Sequence, residues 1–157
     1  MARTGATIRD TDNGFKSLQR ELGGRRRRVT VGVHKAEGTK EKEVRGKGKS
    51  DRTLAEIAFM HEFGIDVDER SYLRSTMDDN NNFSSEIIRL LTGVIQKKLS
   101  LLGALDLLGL EIETKVRDKI RAGIPPALSD VTVARKGSSL PLVDTGQLIR
   151  AIKSEVK

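Results

Sequence analysis

The sequence contains no cysteine and no tryptophan among its 157 residues, and its two histidines are His34 and His61. The absence of cysteine excludes a disulfide scaffold, a thiolate nucleophile and a cysteine-ligated zinc site. Two histidines leave few ligands for any other metal centre. We therefore expect neither a metal nor another cofactor.

Aromatic residues are also scarce, at 3% of the chain, with one tyrosine and four phenylalanines. The core must therefore be built mainly from leucine, isoleucine and valine, and it is thin for a chain of this length. A thin core favours stabilisation by neighbouring copies of the same chain. The length suits a single domain over residues 1–157.

The chain also lacks a long apolar run. Its first residues, MARTGATIRD, show none of the apolar character of a secretory signal, and Lys97, Lys98 and Asp106 interrupt the longest apolar region. We therefore expect no segment that spans a membrane.

Basic residues, by contrast, are abundant, and the formal net charge is +7. Four arginines precede an alternation of valines, and residues 35–52 combine seven basic with four acidic residues. Because segment 35–52 has almost nothing to bury, we predict a long, mobile charged loop, at the tip of a hairpin or between a strand and a helix. Candidate contacts to DNA or to a partner are Arg25, Arg26, Arg27, Arg28, Lys47 and Lys49. The arginines are equally compatible with a solvated lead-in to the strand or with protection of its edge.

The spacing of apolar residues predicts an α+β fold, in which a small, mostly antiparallel sheet is flanked by helices. Helices are predicted over residues 14–22, 53–64, 84–99 and 104–122, with a short one through Leu148 and Ile149. Residues 84–122 form either one bent or two long amphipathic helices, because glycines weaken the middle. Strands are predicted over 29–34 and 151–156, which we expect to pair, with a brief strand-like alternation at Val131 and Val133.

Helix ends are indicated by capping residues. Asp51 or Thr53 is the expected N-cap of helix 53–64, and Gly64 its C-terminal stop. Ser84 and Ser85 are expected to cap the next helix. Its predicted apolar face comprises Ile87, Ile88, Leu91, Val94, Ile95 and Leu99.

The triplet Asp144-Thr145-Gly146 also occurs in aspartic proteases, which need two aspartates that share one proton. This chain has one such triplet and a half-helical pattern, so we interpret Asp144, Thr145 and Gly146 as a structural cap of the following helix. A small hydrolase built on His61 or Asp144 would need a partner residue that the sequence does not supply. We expect no enzyme.

Four stretches, taken in order, resemble one family. They are LAEIAFMHEFG, RSYLRSTMD, PPALSDVTVARKGSS and PLVDTGQLIRAI. Together they are similar to the tail-completion or neck proteins of long-tailed bacteriophages, also called virion morphogenesis or minor tail proteins. That family usually carries a proline in or before its Arg-x-Phe-Leu element, where this chain has Glu69, Ser71 and Tyr72.

The resemblance implies a structural virion protein that forms a ring, expected to be a homo-hexamer, at the head–tail junction or tail end. The implied partners are other copies of the chain, the neck or connector proteins, the tail-terminator or tail-tube proteins, and DNA passing non-specifically through the channel. Assembly would take place in the host cytoplasm. Candidate residues for ion pairs between subunits are Glu56, Glu62, Arg70 and Arg74. The alternative function is a basic nucleic-acid-binding protein that uses Arg25–Arg28 and segment 35–52.

Overall fold

The computed structural model describes residues 15–24, 26–38, 41–44 and 48–157. The fold is α+β, as predicted, and 59% helical. The helices are α1 (Phe15–Leu22), α2 (Lys35–Gly38), α3 (Leu54–Phe63), α4 (Arg74–Asp79), α5 (Ser84–Ile95), α6 (Leu101–Ala122), α7 (Asp130–Lys136) and α8 (Gln147–Ala151). The strands are β1 (Val29–Val33), β2 (Glu41–Val44), β3 (Gly48–Thr53) and β4 (Ile152–Val156). In these described ranges, no helix is both long and apolar enough to cross a membrane.

Strands β1 and β4 form the predicted antiparallel pair, with Val29 opposite Val156 and Val33 opposite Ile152. Helix α6 lies against this sheet at close range. A Cβ added to Gly109 would stand 2.8 Å from the Cβ of Ser154, which is closer than side chains pack. The glycine that seemed only to weaken a helix therefore permits α6 to contact the sheet.

Segment 35–52 has more regular structure than the predicted loop. Its described residues form the short helix α2 and the antiparallel hairpin of β2 and β3. A hairpin satisfies its backbone groups through its own ladder, so these strands pair although the segment carries few apolar side chains.

Helix α3 has the predicted boundaries, and Thr53 is its N-cap. The Thr53 hydroxyl accepts a hydrogen bond from the Glu56 amide at 3.3 Å, and the Glu56 carboxylate accepts one from the Thr53 amide at 2.7 Å. This reciprocal pair is a capping box. At the other end, Gly64 takes the left-handed conformation with φ of +69° and ends the helix.

Residues 84–122 form two helices rather than one. Helix α5 ends at Ile95, and α6 begins after Ser100, whose hydroxyl accepts a hydrogen bond from the Gly103 amide at 3.0 Å. The predicted capping of α5 by Ser84 and Ser85 is wrong, because Phe83 occupies the N-cap and no side chain caps the helix.

The predicted apolar face of α5 is also partly wrong. Leu90 and Val94 are the buried residues, whereas Ile88 is 66% exposed. Packing against α1 and α6 selects the buried side, and an apolar pattern that extends around much of the helix does not specify which side that is.

The strand-like alternation near residue 131 belongs to helix α7. The Ser129 hydroxyl accepts a hydrogen bond from the Thr132 amide and serves as the N-cap, while Gly137 ends the helix. Val131 is 80% exposed, so its alternation with Val133 does not mark a buried strand face.

The buried apolar residues form two clusters. We call the larger one the sheet cluster; its members are Leu54, Ala58, Tyr72, Phe83, Ile112, Val116, Ile120, Ile124, Leu148, Ala151 and Ile152. We call the smaller one the helix cluster; its members are Leu18, Leu90, Val94, Leu101 and Ala104. Leu108, half-buried on α6, packs against both clusters and joins them.

Candidate functional site

Glu62 and Arg70, which belong to the first two of the four motif stretches, lie together at the C-terminal end of α3. Glu62 is 5% exposed, and its carboxylate accepts four hydrogen bonds. The donors are the Ser71 hydroxyl at 2.7 Å and the amides of Tyr72, Leu73 and Arg74 at 2.8–2.9 Å. This carboxylate therefore holds the turn that leads into α4, whose first amides need an acceptor.

Arg70 is buried beside this turn, at 4% exposure. Its guanidinium donates two hydrogen bonds to the Pro126 carbonyl, at 3.1 and 2.9 Å, and pairs with Asp68 at 3.1 Å. Its amide also donates to the His61 carbonyl at 2.8 Å. Arg70 thus ties the end of α3 to the segment that follows α6.

The other two candidates for ion pairs between subunits are exposed. Glu56 belongs to the capping box, where hydrogen bonds from the backbone and side chain of Thr53 hold the pKa of its carboxyl below its usual value. Arg74 forms an ion pair with Glu69. Each of the four predicted interface residues therefore has a partner within the chain, and their role between subunits stays a prediction.

The predicted cap near residue 144 is only partly correct. Gly146 itself occupies the N-cap of α8, in the left-handed conformation with φ of +74°. The predicted N-cap position at Asp144 or Thr145 is therefore wrong. The Thr145 carbonyl instead accepts a hydrogen bond from the Arg150 guanidinium at 3.1 Å.

These motifs surround a cleft of about 810 Å³. His61 and Arg70 line one side, and Asp144 with neighbouring residues up to Leu148 lines another. The cleft has apolar walls from Leu54, Ile57, Val67, Leu128 and Leu142, and polar groups at Ser129, Thr132 and Arg135. Across the described positions, no three His, Cys, Asp or Glu side chains are placed to hold a metal ion.

The basic candidates divide into three groups. Arg26, Arg27 and Arg28 are exposed just before β1. Arg25 and Lys47 lie outside the described residues, and Lys49 lies on β3, where the backbone alone is described. Contact of these residues with DNA stays a prediction.

An exposed aromatic pair on α3 was missed by the sequence analysis. Phe59 and Phe63 are 55% and 53% exposed, and their ring centroids lie 4.7 Å apart. Ile65, just beyond the helix, is 42% exposed. We call Phe59, Phe63 and Ile65 the α3 patch. The sequence did contain a sign of this patch. Apolar residues lie all around α3, whereas a helix that buries one side needs them on that side only.

No protein-family model matches this sequence, and comparison with curated proteins and with solved structures found no similar chain.

Proposed function

We propose that this chain is a structural subunit that assembles with copies of itself into a ring at the head–tail junction of a long-tailed phage. The ring would complete the tail or join it to the connector and let DNA pass. The α3 patch carries the self-assembly part of this proposal. The location in the virion rests on the resemblance of the motif stretches.

The α3 patch exposes two aromatic side chains in a sequence that contains few aromatic residues. Of the four phenylalanines, Phe83 is buried, whereas Phe15, Phe59 and Phe63 are more than half exposed. Covering one such ring contributes up to about 1.5–3 kcal/mol. Aromatic residues are enriched in the buried centres of protein interfaces, so a neighbouring subunit is a natural cover for this patch.

The motif residues support the patch from the inner side of the same helix. Glu62 points inward to the turn before α4, while Phe59 and Phe63 point outward. The hydrogen bonds of Glu62 and Arg70 hold the end of α3 in one position. A patch held in position loses little conformational entropy on docking.

Glu56 and Arg74 are placed differently from the two buried candidates. Both side chains are exposed, so either can contact a neighbouring subunit while the buried groups stay in place. As exposed charges they would contribute little to the free energy of association and serve mainly to orient the subunits.

The test is the mass of the protein in solution, measured by light scattering at physiological salt, alone and with its tail-tube or connector partner. We expect a hexamer-sized or larger species in at least one condition. The double variant Phe59→Ser, Phe63→Ser should remain a folded monomer, since both rings are exposed. Phe15→Ser is the matched control, because it removes an exposed ring from α1 and should leave assembly unchanged. A monomer in every condition, or assembly by the double variant, would contradict the proposal.

Nucleic-acid binding is the second candidate function, favoured by the three exposed arginines before β1 and the net charge of +7. It predicts that the association constant for DNA falls steeply as salt rises. Replacement of Arg26, Arg27 and Arg28 by glutamine should flatten this dependence. A monomer with salt-dependent DNA binding would favour this function over the ring.

A further inference from the structure

The two outer edges of the β1–β4 sheet can be distinguished from the hydrogen-bond register. Arg28 and Lys157 exchange both backbone hydrogen bonds, at 2.8 and 2.9 Å. In an antiparallel pair such hydrogen-bonded pairs alternate with pairs that are not hydrogen-bonded. Val29, Val31 and Val33 therefore direct their N–H and C=O groups away from β4. By the same alternation, the residues opposite them on β4 direct theirs away from β1.

The outer edge of β4 is closed by two side chains from α6. The Ser154 amide donates to the Glu113 carboxylate at 2.7 Å, and the Ile152 carbonyl accepts from the Arg117 guanidinium at 2.7 Å. Glu113 and Arg117 pair with each other at 2.8 Å, and Glu113 is 6% exposed. The outward Ser154 amide and Ile152 carbonyl are therefore already bonded and unavailable to an added strand.

The outer edge of β1 is not closed in this way. No described residue adds a third strand to the sheet, and none bonds to the outward backbone groups of Val29, Val31 or Val33. These three residues present alternating donors and acceptors along the strand. Such an edge is a template for an added strand.

The charges beside β1 indicate what kind of strand fits. Exposed arginines precede the strand, and His34 and Lys35 follow it. Antiparallel pairing with the β1 of a second copy, centred on Val31, would bring the arginines that precede each strand close to the Lys35 that follows the other. Like charges brought together at both ends of the paired strands are unfavourable, so a second copy is a poor occupant.

We propose that the outer edge of β1 binds an extended segment of a partner protein that carries acidic residues at both ends. The segment adds to the sheet through backbone hydrogen bonds to Val29, Val31 and Val33. Its acidic ends meet Arg26–Arg28 on one side and Lys35 on the other, whichever way it runs. This binding mode is independent of the ring and of the α3 patch.

The experiment uses two synthetic peptides of alternating valine and threonine, one with glutamates and one with lysines at both ends. Binding to the full chain is measured by fluorescence anisotropy, and the bound edge is located by NMR hydrogen exchange. We expect the glutamate peptide to bind at least roughly tenfold more tightly than the lysine peptide. It should also slow exchange at the amides of Val29, Val31 and Val33.

A variant pair tests the backbone contact itself. Val31→Pro removes an outward N–H but leaves the ladder to β4, because Val31 donates no bond to β4. Val31→Thr keeps the N–H and changes the side chain. We expect the proline variant to lose roughly tenfold in affinity and the threonine variant to bind like wild type. Should the proline variant fail to fold, the exchange measurement on the wild-type chain decides alone.

Several outcomes would overturn the proposal. The first is equal affinity for both peptides or no binding by either. The second is protection of amides away from β1. The third is protection of the same amides without peptide in a species of doubled mass, which would show self-pairing. The fourth is protection of these amides by an oligonucleotide in place of the peptide.

Discussion

The two halves of α6 pack into clusters of different chemistry. The sheet cluster, around the C-terminal half, lies beside buried charged groups, namely Glu62, Arg70 and Glu113. The helix cluster, around the N-terminal half, is aliphatic, and none of its members is polar. Buried polar groups accept one arrangement of partners, whereas aliphatic packing has no direction of its own.

The side chains beside the two clusters also differ. Next to the helix cluster, Ile88 on α5 is 66% exposed, although the same helix buries Leu90 and Val94 in that cluster. Around the sheet cluster, backbone amides and carbonyls receive specific side-chain partners, as at Ser154 and Tyr72. Directional bonds therefore contribute more to the geometry of the sheet end, whereas the helix cluster itself depends on apolar burial.

The largest effect should follow the loss of the Glu62 carboxylate. Glu62→Ala leaves the Ser71 hydroxyl and three amides without their acceptor, and we expect the free energy of unfolding to fall by about 4 kcal/mol. The melting temperature should fall on the order of 10 °C. Glu62→Gln is the control, because it keeps an acceptor oxygen and should cost about half as much. If Glu62→Ala melted at the same temperature as the wild-type chain, directional bonds would not be what stabilises the sheet end.

Truncating one buried side chain in each cluster would show how tightly the two clusters are packed. Ile120→Ala, at a fully buried position of the sheet cluster, should cost about 3–4 kcal/mol. Leu90→Ala, in the helix cluster, should cost about 2 kcal/mol, because the surrounding aliphatic side chains can relax into the space. Urea denaturation of both variants gives the two values. Equal costs would remove the proposed difference in packing.

The sheet cluster should also respond to alkaline pH through Tyr72. Burial, with a smaller contribution from the Glu62 charge, raises the pKa of this phenol. The folded state therefore holds the phenolic proton more tightly than the unfolded state does. Stability from this group is complete below the usual tyrosine pKa of about 10, and it falls as the pH rises through the higher pKa of the folded state.

Tyr72 is the sole tyrosine, so tyrosinate absorbance reports on it alone. We expect this absorbance to appear above pH 10 only as the chain unfolds, and the loss of stability to reach about 1.4 kcal/mol per pH unit. In Tyr72→Phe this component of the pH dependence should disappear. Ionisation near pH 10 in the folded chain would contradict the burial of the phenol beside Glu62.

The smallest effect should come from the exposed side of the helix cluster. Ile88→Lys should change the free energy of unfolding of the monomer by no more than about 0.5 kcal/mol, because the side chain is largely solvated. Leu90→Lys, two residues away on the buried side, should unfold the helix end. Thermal melts of both variants measure the contrast, and a strongly destabilised Ile88→Lys would show that this side is packed after all.

Some local signals were read correctly from the sequence. Helix α3 was predicted at its boundaries from Thr53 as one of two possible N-caps and from Gly64 as the stop, because both act on backbone groups within one helical turn. The pairing of β1 with β4 was also predicted, after each was recognised as a strand by its alternation. In α7, by contrast, two alternating valines indicated a strand, whereas the cap at Ser129 and the stop at Gly137 determine a helix.

The candidate site was read less well. Glu62, Arg70 and Asp144 were selected from the right stretches, and the structure brings these stretches around one cleft. The roles of Glu62 and Arg70 within the chain were missed, because their partners lie ten and more residues away, at Tyr72 and Pro126. The predicted N-cap at Asp144 was wrong because Gly146, two residues later, takes the left-handed conformation from which the helix begins.

By itself, the sequence determined the fold class, the ends of α3 and the two strands that pair, since capping, turns and alternation act over a few residues. Tertiary structure alone decided which side of α5 is buried, where the Glu62 carboxylate bonds and which edge of the sheet stays open. Those choices depend on apolar burial, which has no direction, and on contacts such as Glu113 with Ser154, which join residues far apart in the chain.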